Sequence, residues 1–160
     1  MQHHHELFIK PMLDSWYNHV SRMDNLLDTI SDEQLHKEIA PGRNRGTYLL
    51  GHLVAVHDRM LPLLNFESHR YPQLDEIFIT SPDKEKDMPP VAELRKYWKD
   101  VNDALAKHFK AMQPEEWLQK HSAVSDEDFA KEPQRNRLNV LASRLTHLAY
   151  HFGQIKLLDK

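Results

Sequence analysis

The chain has 160 residues, a formal net charge of −3, twelve histidines and no cysteine. That length suits one domain over residues 1–160, large enough to bury a core without staples. The missing cysteine excludes disulfides, thiolate metal sites and a cysteine nucleophile, and the dispersed lysines and arginines argue against a nucleic-acid partner.

Met1-Gln2-His3-His4-His5-Glu6 lacks the basic and apolar regions of a signal peptide, and its histidine run reads as a solvated tail. No apolar run is long enough to span a bilayer, so the expectation is a cytoplasmic protein that does not enter membranes. From about Glu6 to Leu27, the apolar stripe Phe8, Met12, Trp16, Val20, Met23 and Leu27 predicts a first helix. Pro11 falls in its first turns, where a missing N–H matters less. Asp32-Glu33-Gln34-Leu35 reads as a short helical turn, stopped by Pro41-Gly42. Asn44 is placed to cap a second helix from about Arg45 to Leu64, with Leu49, Leu53, Val56, Met60 and Leu63 on one stripe. Pro62 should kink or end it.

The polar stretch from Leu64 to Pro89, with Pro72 and Pro82, is long for a compact bundle. It is long enough to cross from one end of the bundle to the other. Pro89-Pro90 opens a third helix from about Val91 to Met112, carrying Leu94, Trp98, Val101, Leu105 and Phe109. A second short turn falls at Pro114-Glu115-Glu116-Trp117-Leu118. Pro133 stops what precedes it, and Asn136 can cap a fourth helix from about Arg137 to Leu158, with Leu141, Leu145, Leu148, Phe152 and Ile155 inward. No segment sustains two-residue alternation, so the fold class is all-α. Trp16, Trp98 and Trp117 read as core.

Pro41-Gly42-Arg43-Asn44-Arg45 matches Pro133-Gln134-Arg135-Asn136-Arg137, with Leu49 then matching Leu141. The repeat reads as two similar helical hairpins. Its Arg-Asn-Arg triplets read as helix capping and solvated charge.

The fourth helix carries His147 and His151. Residues four apart lie on one helical face, so both imidazoles can reach one ion. Arg144 and Gln154 share their stripe, at the edge of the buried face. Such a pair is common by chance, and the weight falls on a third ligand. His52 lies within the apolar stripe of the second helix, where a lone histidine is more often a core residue. Its depth is informative: it stands roughly 12 Å from the start of its helix at 1.5 Å per residue. The midpoint of His147 and His151 stands roughly 13 Å from the end of theirs and about 20 Å from its start. The three come level only if the second and fourth helices run antiparallel. That requires an up-down-down-up four-helix bundle with the long crossover between helices two and three.

Gly51-His52-Leu53, together with His147-Leu148-Ala149-Tyr150-His151-Phe152-Gly153-Gln154, resembles the DinB-like superfamily of four-helix-bundle metalloenzymes. The resemblance covers nearly the whole chain. It implies that His52, His147 and His151 hold a divalent metal, commonly nickel or zinc, and that the protein forms a homodimer. Many members have arginine where this chain has Phe152, which puts in doubt any contact made by that arginine.

Three neutral imidazoles suit several divalent ions and leave positions open for water or substrate. Water on such an ion can reach a pKa of about 7. Arg144, Tyr150 and Gln154 are candidates for the surrounding pocket. His19, His57, His108 and His121, with His36 and His69 in connections, read as surface or core fillers. Asp58 lies off the His52 face, so no general base and no catalytic residue is assigned.

Three readings follow. The first is a metal-dependent enzyme. The resemblance points to thiol transfer of the bacillithiol type, with a small-molecule substrate or thiol cofactor, and a metal-dependent hydrolase fits the same ligands. The second is a non-catalytic, stress-related protein that binds metal or ligand. The third is a metal-free bundle.

Overall fold

A computed structural model describes residues 2–159, and side chains from Glu6 to Asp159. The histidine run at residues 3–5 therefore has its side chains outside the described residues. The chain is all-α, with four long helices: α1 (Gln2–Thr29), α3 (Gly46–Leu63), α4 (Val91–Ala111) and α6 (Arg137–Lys156). Two short helices, α2 (Asp32–Leu35) and α5 (Asp126–Lys131), lie in the connections, as do a π-helical turn at Glu76–Thr80 and a 3₁₀ turn at Pro114–Leu118. Among the described residues there is no strand, only two isolated antiparallel bridges, Glu38 with Arg45 and Lys120 with Asn136. Among the described residues, no helix is long and apolar enough to cross a membrane.

The helix boundaries follow local chemistry. Ser31 and Gln34 form a capping box on α2. Pro90 is the N-cap of α4, and α3 ends one residue past Pro62. Asn136 caps α6 by accepting from the Asn139 N–H at 3.0 Å. Asn44 does not play that part for α3. Arg45 is the N-cap there, and its N–H donates to Asp83 Oδ2 at 2.8 Å. The cap position thus shifts by one residue between the copies of the Pro-x-Arg-Asn-Arg repeat. Both helices are nonetheless entered alike: the Gly46 N–H donates to Lys37 O, and the Arg137 N–H to Gln119 O.

The first turns of α1 differ from the sequence reading. Phe8 is 72% exposed, and Ile9 is the buried residue. Phe8 stands eight positions before Trp16, roughly 80° around the helix from it. Because α1 begins at Gln2, Pro11 is interior to the helix rather than in its first turns. Its missing N–H is tolerated because this stretch faces water.

Trp16, Trp98 and Trp117 are buried in one core with most of α3. Cross-helix contacts give the directions. Gly46, at the start of α3, abuts Leu158 beyond the end of α6, while His52 meets His147, so α3 and α6 run antiparallel. His57 bonds Asn102 and Phe66 stacks on His108, so α3 and α4 run parallel.

The stretch after Leu64 is not a simple polar connection. Leu74 and Phe78 are fully buried, and Phe66, Tyr71, Ile77 and Ile79 pack on the core. Polar contacts fix it along α3. The Asp58 carboxylate, itself buried, accepts the N–H groups of Arg70 and Tyr71, each at 2.9 Å. The Tyr48 hydroxyl donates to Ser81 O at 2.7 Å, and Asp83 takes the Arg45 guanidinium at 2.6 Å. Arg59 pairs with Asp75 at 2.9 Å.

Candidate metal centre

α3 and α6 bring His52, His147 and His151 together. The Nε2 atom of His147 lies 3.0 Å from Nε2 of His52 and 3.1 Å from Nε2 of His151. One ligand atom from each lies within 4.8 Å of the others, and among the described residues no carboxylate joins the group. All three side chains are half-buried. Two nitrogens about 2.1 Å from one ion stand roughly 3.0–3.4 Å apart, the spacing seen here.

The outer nitrogens decide what the inner ones offer. His52 Nδ1 lies 2.7 Å from the Phe78 carbonyl. A carbonyl only accepts, so Nδ1 carries the proton and Nε2 presents a lone pair. His151 Nδ1 lies 2.7 Å from Gln154 Oε1, with the same result. His147 stands between two lone pairs, and one Nε2–H can serve only one of them. Its own Nδ1 is buried without a partner. Three Nε2 atoms converging on one point, two of them presenting lone pairs, is an arrangement a cation satisfies and a hydrogen-bond network does not. The residues present therefore fit a divalent metal.

The electrostatics keep the ligands neutral. Burial, followed by the neighbouring His151 and His52, pushes the His147 imidazole down to a pKa of about 3. Burial also lowers that of His151, partly opposed by its hydrogen bond to Gln154. Neutral imidazoles are the form that binds metal.

The three pocket candidates separate. Gln154 orients His151. Tyr150 is 64% exposed, its ring edge-on to His151 at 5.1 Å. Arg144 is half-buried, and its Nε has no hydrogen-bond partner. Phe152 is buried under the Arg22 guanidinium of α1, 4.8 Å above its ring. His57 and Asp58 lie within the core and hold other elements, outside the cluster. The sequence reading missed the Phe78 carbonyl, because a backbone acceptor has no side-chain signature. An apolar groove of about 390 Å³, lined by Ile9, Leu13, Tyr17, Phe109 and Trp117 among others, does not reach the histidines.

The sequence profile of the DinB superfamily matches residues 16–155. A search of curated proteins finds no match to this chain.

Proposed function

The chain belongs to the DinB superfamily, and from that premise we propose that it is a divalent-metal protein with His52, His147 and His151 as ligands. The observation that carries this reading is the convergence of three Nε2 atoms, two of them with tautomers set by Phe78 O and Gln154 Oε1. Imidazole donors favour nickel or zinc over magnesium or calcium. The reading takes the helices as an up-down-down-up bundle, supported by the Gly46–Leu158 and Phe66–His108 contacts.

The reaction we propose is transfer of a low-molecular-weight thiol to an electrophile. A bound divalent ion supplies Lewis acidity, which lowers the pKa of a thiol or water brought to it. The protein's part is to hold three neutral donors on one side, leaving the other side to ligand, with Tyr150 at the rim. A cytoplasmic homodimer acting on a small molecule completes the proposal.

The test is metal content and affinity of the full chain, with His3, His4 and His5 replaced by alanine to remove adventitious binding. One tightly bound nickel or zinc per chain, lost in His147→Ala, supports the site. Equal, weak uptake by both proteins refutes it. Turnover of a thiol with a model electrophile, only when metal is present, supports the transferase reading.

A further inference from the structure

Arg144 stands one helical turn before His147 on the same face of α6, half-buried, with its Nε sealed from solvent and unpartnered. The charge it meets is Arg59 of α3, also cationic, while His57 and His147 beside it are neutral. Two acidic groups packed along α3, Asp75 and Asp58, are already engaged. Asp75 holds Arg59 at 2.9 Å, and Asp58 holds the backbone of Arg70 and Tyr71. Burial lowers the pKa of Arg144, the direction expected of a guanidinium withdrawn from water without a counter-ion. Placing this group beside a centre that would carry two further positive charges is unfavourable unless an anion joins them.

We propose that Arg144 is the anion-binding arm of the site, taking an oxyanion of a small-molecule ligand whose other end reaches the three histidines. A guanidinium presents a planar fork of donors that matches a carboxylate or a phosphate. The substrate class is therefore an anionic one, with its charged group about one helical turn from the reacting atom. This rests on the metal reading above, and adds to it which ligands the centre admits.

The experiment uses the full chain carrying H3A, H4A and H5A, loaded with cobalt(II). Cobalt affinity is measured first, for this protein and for Arg144→Gln and Arg144→Lys made in it. Each is then titrated with succinate and with inorganic phosphate, followed by calorimetry and by the visible spectrum of the cobalt. The expected result is cobalt bound by all three, no more weakly in Arg144→Gln than in the parent, with one anion bound about ten-fold or more tighter when Arg144 is present. Arg144→Lys should fall between. Which anion shows the effect tells carboxylate from phosphate. Cobalt uptake with anion affinity equal in Arg144→Gln, or with no anion bound, overturns the proposal alone. No cobalt uptake overturns the metal reading, and the proposal falls with it.

Discussion

His57 is fully buried, its Nδ1 2.8 Å from Asn102 Oδ1 and its ring 4.9 and 5.1 Å from those of Trp16 and Trp98. Burial pushes its pKa down to about 4, against about 6.5 in an unfolded chain. Protonation therefore favours the unfolded state. The stabilisation is complete above pH 6.5 and is lost as pH falls toward 4, by about 3 kcal/mol from this group. Urea unfolding at pH 7 and pH 4.5 should show a smaller difference for His57→Gln than for wild type, and parallel losses would assign the effect elsewhere. Gln154 acts on a different quantity. Gln154→Leu removes the acceptor that turns His151 Nε2 toward the centre, and should weaken metal binding about 10- to 100-fold. Competition with a chelator measures it; unchanged affinity would mean His151 needs no outer partner.

The crossover between α3 and α4 is the element that completes the centre. It presents the Phe78 carbonyl to His52, and it is pinned at Asp83, whose side chain is only 4% exposed in its pair with Arg45. Asp83→Ala leaves that guanidinium and the α3 N-cap N–H without their acceptor, and should cost about 3 kcal/mol. Thermal melts test this, and a loss under 1 kcal/mol would show that the crossover is held elsewhere. Gly51→Ala should weaken metal binding from the opposite side, because a Cβ there would lie 2.3 Å from the Phe78 ring. The four long helices were readable in the sequence because their apolar stripes repeat at helical spacing. The crossover was readable as a long connection, but not how it packs along α3. Its anchors join residues far apart in the chain, such as Arg45 and Asp83, and its buried Leu74 and Phe78 follow no sustained period.

At the scale of the molecule, a ligand that binds only the folded chain raises its stability. At a free metal concentration about 100 times Kd the gain is about 2.7 kcal/mol, or roughly 5–10 °C in Tm for a domain of this size. Nickel or zinc should raise the melting point of wild type by that amount and leave His52→Ala unmoved; equal shifts in both would place the metal elsewhere. The three-histidine cluster was readable in the sequence. The His147–His151 spacing set one face, and the matching depth of His52 supplied its partner. Arg144 was readable only as a neighbour, since its lack of an acidic partner depends on how α3 and α6 meet.

His52 and His147 are 95 residues apart in the chain. Closing so long a loop is entropically costly, and contacts of that separation tend to form late in folding. The centre then exists only once α6 has docked on α3. A metal ion bound there would act as a latch rather than a nucleus, slowing unfolding while leaving the folding rate nearly unchanged. The time an ion stays aboard would consequently set how long α6 stays docked.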